Sequence, residues 1–585
     1  MSLLPNVSPV KPRLVALCGW AVCAKLAALD ISGDIATAWT VAEQRSEGTM
    51  AWMDVTYGSP LMYSKFPTVG DHVTGRWELS SFFIRDWRSG FWPGTLWLLA
   101  QRTGSDVWRQ RAMDWSASLA LSENLDHDIG FITLASLGKG MLYHDDLTDP
   151  GGAYREFAKT AITRAAGKLD ARFNQANVEG TPVVTGFTRS WNSPYENPYP
   201  VCVDNLMNLE VLFLAYELNG RPPSQRVWFE HGLTHARTSI AQHLRADGGT
   251  YHVVKHFESG PRIGQIERKN TVQGYGDETT WSRGQAWAIH GLASVYRFAR
   301  RDPETDASDI LAAARATADY FLARLPDNHA ADPYNHRPGD FVPPSDFDAA
   351  LGEPSGPWND ANNDYDSASG TGLGDRKPAL QEFTLRDSSA AAIAASGLIE
   401  LAGQVPDAAD RARYLAAAEA ILHCLIAYDG PDADSSPDYL CAASETTDPG
   451  ILKAGSVRWG EANRSLIYGD FYFLEALARY EALGARELLA RSQRVICSAG
   501  NVSFEFEMTI PAPTLALRVQ KCADLDEGNW ATVAAKTGAG PWSGISPVAE
   551  EILPAGRVKV RIADLAPGTR GFFRILTRSL GGDGP

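Results

Sequence analysis

Gly284-Gln285-Ala286-Trp287-Ala288-Ile289-His290-Gly291-Leu292-Ala293-Ser294-Val295-Tyr296-Arg297-Phe298-Ala299-Arg300 runs through the turn Arg301-Asp302-Pro303 into Glu304–Leu325. The first run is apolar nearly all round, whereas the second carries one apolar stripe. A helix of the first kind must be buried, and one of the second kind covers the outside. The same couple recurs as Gly94–Arg102 then Asp106–Glu123, Val203–Asn219 then Ser224–Leu244, and Ser388–Ala402 then Ala408–Tyr428. The turns Thr103-Gly104-Ser105 and Asn219-Gly220-Arg221 are short and chemically alike. Inner and outer helices alternating about six times describe a toroid of helical hairpins, with an open solenoid as the competitor. Irregular unit spacing favours the closed form, an (α/α)6 barrel whose long loops build a cleft at one end.

Beyond about residue 495 the period of the pattern changes to two. Val502-Ser503-Phe504-Glu505-Phe506-Glu507-Met508 and Arg557-Val558-Lys559-Val560-Arg561-Ile562 alternate strictly. With Leu515–Gln520 and Gly571–Thr577 they predict a β-sandwich of roughly 90 residues. It serves as an appendage, or binds carbohydrate through Trp530 or Trp542. The expected division is an N-terminal extension or signal-like segment at 1–30, the catalytic barrel at 31–490 and a small β domain at 495–585. Residues 330–380 break the helical pattern with a Gly/Pro/Asn/Asp-rich insertion, the kind of long loop that is functional or mobile. Its acidic run lacks the glycine that an EF-hand loop needs at its sixth position, so no calcium site is read there.

A net charge of -16 over 585 residues argues against nucleic acid or an anionic membrane as partner. It leaves room for an anionic small substrate, because a pocket answers to its local donors. Lys11 and Arg13 precede an apolar stretch, Leu14 to Ala24, that reads as a signal core or as the first helix. The compartment is periplasmic or secreted in the first case and cytoplasmic in the second. No run reaches transmembrane length. Seven scattered cysteines without a CxxC pair indicate neither a zinc ribbon nor a disulfide framework, although Cys497 and Cys522 could pair within the C-terminal region. His231 and His235 share a helix face, but no Glu follows the first as in a zinc-protease helix, and the pair is assigned to an outer helix.

Two carboxylates head apolar helices. Asp128 stands in Asp126-His127-Asp128-Ile129-Gly130-Phe131, and Asp204 in Val201-Cys202-Val203-Asp204-Asn205-Leu206-Met207-Asn208. Desolvation and a second carboxylate nearby would keep one of them protonated and able to act as a general acid. Each could equally be a helix N-cap. Arg283 and Trp287 lie four apart on one helix face, after the polar loop Gln273–Ser282. A guanidinium fork beside an indole suits an acidic sugar; an amphipathic helix with a buried Trp and a capping Arg has the same sequence.

These segments occur in a fixed order: Trp87-Arg88-Ser89-Gly90-Phe91-Trp92-Pro93-Gly94, His127–Phe131, Asp204 with Asn205 and Asn208, Thr250-Tyr251-His252, Gln273–Trp287, Arg386-Asp387-Ser388-Ser389-Ala390 and Leu466–Phe473. Together, over about residues 30–485, they resemble the unsaturated glucuronyl hydrolases of glycoside hydrolase family 88. The resemblance implies an (α/α)6 barrel and a reaction without metal or organic cofactor. The implied substrate is a lyase-generated oligosaccharide with a C4=C5 unsaturated glucuronic acid at its non-reducing end. On the family's pattern Asp204 is the acid/base and Asp128 the second essential carboxylate. His127, His252, Gln273, Arg283, Trp287, Trp92 and Trp191 match substrate-binding positions. The rival readings are an unsaturated rhamnogalacturonyl hydrolase, a polysaccharide lyase on the same toroid and a catalytically dead glycan-binding protein. The loop Lys453–Arg464, with Lys453, Arg458 and Arg464, is a candidate for contacting the leaving sugar, or is simply solvated.

Overall fold

The computed structural model describes residues 31–492 apart from 81, 124–125, 145–148, 150, 178–183, 193–197, 258–259, 326–338, 349–384, 429–438 and 458–461. It also describes the backbone of the strands between 494 and 579. The 1–30 segment, the 350–378 part of the insertion, Trp530, Trp542 and Arg458 lie outside the described residues.

Helices alternate outer and inner along the chain. The outer set is α1 (Ser32–Thr56), α3 (Asp106–Leu119), α5 (Ala153–Asp170), α7 (Arg226–His243), α9 (Ser308–Ala323) and α11 (Ala408–Ala427). The inner set begins with α2 (Phe91–Thr103) and α4, which joins Ile129–Thr133, a π turn Leu134–Gly138 and Lys139–Tyr143. It continues with α6 (Asn205–Asn208 running on into Glu210–Leu218), α8 (Ser282–Ala299), α10 (Ser388–Ala402) and α12 (Ile467–Ser492). Each inner helix touches the next, and α12 returns to touch α2. That last contact closes the ring and rules out the open solenoid.

Burial follows the pattern read from the sequence. Every residue of α10 is buried, and in α8 all but Tyr296 are. The outer α9 buries only the stripe Ile310, Ala313, Ala314, Thr317, Ala318, Tyr320 and Phe321, the spacing of one helix face. Asp387 caps α10, accepting from the backbone N–H groups of Ser389 (3.1 Å) and Ala390 (3.4 Å).

Further along the inner helices the core carries a balanced set of buried ions. Lys139 Nζ lies 2.5 Å from Glu475, Arg297 pairs with Glu210 (2.7 Å) and Glu400 (3.3 Å), and Arg479 pairs with Glu400 and Glu475. His290 completes the set at 3.1 Å from Glu475. Burial alone would raise the Glu475 carboxyl, but Lys139 and His290 hold it down at about 2. A cavity of about 410 Å³ adjoins this network, with apolar walls that include Leu134, Met207 and Leu214.

Short antiparallel sheets are inserted between the helices: β1 (Pro67–Asp71) with β2 (Arg76–Leu79), β3 (Phe173–Asn177) with β4 (Val184–Thr188), and β5 (Pro198–Cys202), β6 (Val253–Phe257) and β7 (Ile266–Asn270). The C-terminal stretch forms two four-stranded antiparallel sheets. One has the order β13 (Val548–Leu553), β14 (Arg557–Ala563), β9 (Asn501–Thr509), β8 (Arg494–Ser498). The other runs β12 (Ser543–Gly544), β11 (Ala531–Thr537), β10 (Leu515–Cys522), β15 (Phe572–Ser579). The expected strand segments Val502–Met508, Leu515–Gln520 and Arg557–Ile562 fall on strands, as do residues 572–577 of the fourth. Cys497 and Cys522 sit on β8 and β10, with side chains outside the described set. No helix among the described residues is long and apolar enough to cross a membrane.

The segment 339–348 is packed into the barrel. Asp346 accepts from Tyr275 N (2.9 Å) and Thr279 Oγ1 (2.7 Å), and Ser345 O accepts from Ser282 N (3.0 Å). These bonds pin the polar loop that leads into α8. His231 and His235 lie on the outer α7, where His231 bonds Asp170 (2.7 Å) and His235 Nδ1 accepts from Thr188 N (2.8 Å).

Candidate active site

The N-terminal ends of the inner helices converge on a cavity of about 530 Å³. It is lined by Val69, Trp87, Arg88, Asp126, His127, Asp128, Phe131 and Trp191, and by Cys202, Asp204, His252, Val272, Gln273, Arg283, Val457 and Tyr468. Helix dipoles aimed this way favour an anion. Asp128 and Asp204 stand at the N-cap positions of α4 and α6, yet neither side chain makes a capping bond. The plain capping explanation therefore fails for each, and both residues line the cavity.

Gly130 and Asn208 set how closely the two helix heads approach. Asn208 Oδ1 accepts from Phe131 N (2.7 Å), and a Cβ on Gly130 would lie 2.5 Å from that oxygen and 2.7 Å from Asn208 Cα. Gly130→Ala must push α4 from α6 and carry Asp128 away from Asp204. A displacement near 1 Å at a reacting group costs about a hundredfold in rate. Activity of Gly130→Ala is expected to fall by that order while the protein stays folded; steady-state kinetics beside a melting curve checks it, and an unchanged rate would count against the geometry.

Burial raises the Asp204 carboxyl to about 6; His127 pulls it down and Asp128 pushes it up. Its Oδ1 is buried with no hydrogen-bond partner among the described residues. Burial by itself would lower His127, but Asp128, 2.9 Å from Nε2, holds it above the usual histidine value. His252 is pushed down to about 3 by burial and the neighbouring Arg283, and is neutral. Its Nδ1 faces the backbone N–H groups of Val272 (3.2 Å) and Gln273 (3.4 Å), which makes it the acceptor nitrogen and leaves Nε2 carrying the proton.

Cys202, Asp204 and His252 each place one potential ligand atom within 4.8 Å of the others. The tautomer of His252 argues against a metal there, since its one lone pair is already engaged by backbone donors. The arrangement instead presents to the cavity a donor N–H and a carboxyl raised to about 6.

Arg283 is 2% exposed and fully engaged along its two terminal nitrogens. Nη1 donates to Asp387 Oδ2 (3.1 Å) and to Ser456 O; Nη2 donates to Gln273 Oε1 (2.7 Å) and Val457 O (2.5 Å). It thus ties α8, α10 and the 456–457 segment together, and holds the Gln273 side chain at the cavity wall.

No protein-family model matches the chain. A curated unsaturated glucuronyl hydrolase of Bacillus sp. (strain GL1) is 31% identical over 428 residues, 71% of this chain and 91% of the relative. Another, from Formosa agariphila, is 29% identical over 405 residues, 68% of this chain and 81% of the relative. The chain belongs to the unsaturated glucuronyl hydrolases. A crystal structure of the Bacillus sp. GL1 enzyme of that name matches with a TM-score of 0.54 at 27% identity, covering 75% of this chain and 96% of the other. That of an unsaturated glucuronyl hydrolase specific for heparin matches with a TM-score of 0.55 at 27% identity, covering 77% and 98%. The chain is accordingly a glycosidase on an (α/α)6 barrel.

Of the residues expected at the site of this unsaturated glucuronyl hydrolase, the cavity brings together Asp128, Asp204, His127, His252, Gln273, Arg283 and Trp191. Trp191 stands 6.5 Å from His127, ring centre to ring centre. Two of the expected residues are not among those that line the cavity. Trp92 is buried on the side of α2 that faces α3, edge-on to Trp115 at 5.9 Å, and does not border the cavity. Trp287 is 1% exposed and packs between Phe131 (5.0 Å) and Tyr472 (5.2 Å), one helical turn below Arg283. The sequence reading passed over Trp87, Arg88, Cys202 and Tyr468, although all four lie inside quoted segments. Lys453 and Arg464 do not line the cavity; Arg464 Nη1 instead donates to Gly70 O (3.1 Å).

Proposed function

We propose that Asp204 protonates C4 of the unsaturated glucuronyl residue and then activates the water that attacks C5. The observation that carries this is a buried carboxyl at the head of α6 with no capping bond, held protonated to about 6 beside Asp128 and His127. The π electrons of C4=C5 form the new C4–H bond and leave oxocarbenium charge at C5. Water adds at C5 and its proton returns to Asp204. The C5 hemiketal then opens: the C5–O5 bond breaks, C5 becomes a ketone and O5 takes a proton. The hemiacetal left at C1 collapses to an aldehyde and releases the remaining sugar.

Asp128, paired with His127, holds sugar hydroxyls and raises the pKa of Asp204. His252 donates through Nε2, Gln273 through its amide, and Trp191 with Trp87 offers flat faces to the ring. Attack at C5 makes the usual rule from carboxylate separation inapplicable. The same reading separates a catalytic barrel at 31–490 from an appended β domain at 495–585, since every residue lining the cavity falls between Val69 and Tyr468.

The test is incubation with unsaturated disaccharides from chondroitin, hyaluronan, heparin and rhamnogalacturonan while following the ultraviolet absorbance of the double bond. Absorbance is expected to disappear with glucuronyl substrates. Appearance of absorbance from intact polysaccharide would mark a lyase, and no change with any disaccharide would refute the reading.

Because the acid form of Asp204 is the working form, kcat/KM should decline with a one-proton slope as pH rises through about 6. Asp128→Asn removes a charge that raises Asp204, so whatever activity survives should show this decline at lower pH. A profile flat from pH 5 to 8 in the parent enzyme would contradict the assignment.

A further inference from the structure

The cavity must hold an anion, and its cations are not equally able to do so. Among the lining residues His252 is neutral, His127 is paired with Asp128 through Nε2 and keeps only the single buried Nδ1, and both terminal nitrogens of Arg283 are spent on protein oxygens. Arg88 differs. Asp86 caps the 3-10 turn Trp87–Gly90 by accepting from Arg88 N (3.0 Å). The same carboxylate accepts from Arg88 Nε (2.9 Å) and Nη2 (2.8 Å). Those bonds fix the guanidinium plane without using Nη1, which donates to no protein atom among the described residues. The side chain is 28% exposed and lines the cavity. The charged or titratable groups acting on it are Asp86, Tyr468 and Glu78.

We propose that Arg88 is the residue that reads an anionic substituent of the sugar, with Arg283 acting as scaffold. The inference rests on the glycosidase reading above and adds its specificity determinant. A guanidinium held on one edge by a carboxylate offers its other edge as a preorganised donor pair, which suits an oxyanion. Two groups carry that chemistry: the C5 carboxylate present on every unsaturated uronic acid, and a sulfate ester present on some.

The test measures binding by calorimetry in the full-length Asp204→Asn protein, with and without Arg88→Gln or Arg88→Lys. The ligands are an unsulfated unsaturated disaccharide, its uronate methyl ester and a sulfated unsaturated disaccharide. If Arg88 reads the carboxylate, Arg88→Gln weakens both free acids by about ten- to hundredfold and leaves the ester unchanged, so the preference for acid over ester disappears. If it reads sulfate, only the sulfated sugar loses affinity. Arg88→Lys restores part of the loss, since charge returns without the fork, and it also serves as the folded control should the Gln variant be unstable. Equal affinities in parent and Arg88→Gln for all three ligands, or an equal loss for all three, would overturn the proposal. Turnover with Asp204 intact is measured separately: sugars that bind in an Arg88-dependent way but are never consumed would refute the catalytic reading and not this one.

Discussion

Asp204→Asn is expected to lower kcat by about three to four orders of magnitude, the range for loss of a general acid that also serves as the base, while disaccharide still binds. Asn keeps the shape and removes the proton donor, so the loss should fall on kcat and not on KM. The same change should stabilise the protein at neutral pH. The Asp204 carboxyl stands at about 6 against an ordinary 3.8, chiefly from burial, so the native state keeps a proton that the unfolded chain releases between those values. Native stability therefore drops as pH rises from about 4 to 6 and stays lower above that. Roughly two pH units at about 1.4 kcal/mol each give up to about 3 kcal/mol. Denaturation midpoints for parent and variant should thus coincide below pH 4 and separate above pH 6 in favour of Asn. An active variant, or one less stable at pH 7 than at pH 4 relative to the parent, would remove Asp204 from its assigned role.

Lys139→Met is expected to cost about 3–5 kcal/mol of stability, the penalty for leaving a buried charge uncompensated. Lys139 and Glu475 are both buried, 2.5 Å apart, and the surrounding cations and carboxylates balance one another. Deleting Lys139 alone leaves the cluster one negative charge in excess. The double variant Lys139→Met with Glu475→Gln restores neutrality and should recover much of the loss. Denaturant titrations of the two variants check this. A single variant within about 1 kcal/mol of the parent, or a double variant as weak as the single, would show that the network is solvated or is not a unit.

The barrel was legible because its cause is local. Helices such as Ser388–Ala402 have no polar face to offer water, so burial on all sides follows from composition, and the striped partner after each short turn must lie outside. The candidate carboxylates were legible as heads of apolar helices, but only the order of motifs around them, not helix burial, set them apart from N-caps. Helix ends shifted by a few residues, as with Ser224–Leu244 against the observed Arg226–His243, because terminal turns depend on caps and not on the apolar stripe.

What escaped the sequence depended on partners far away in the chain. Nothing near Arg283 in the sequence shows that its terminal nitrogens donate to Asp387 and to the carbonyls of Ser456 and Val457, all more than a hundred positions downstream. Trp87 and Trp92 share one segment and one composition. Only the rotation of α2 against α3 and α12 decides that Trp87 meets the cavity and Trp92 meets Trp115.

Sequence by itself thus determined the alternation of inner and outer helices and the change to β structure near residue 495, since periodicity and burial are properties of neighbouring residues, and it put forward Asp128 and Asp204 as candidates through the order of motifs around them. Only the tertiary structure decided which cation is left open to a ligand and which is consumed. A guanidinium's availability depends on the acceptors around it, and for Arg88 and Arg283 those acceptors are set by how the chain closes into a ring.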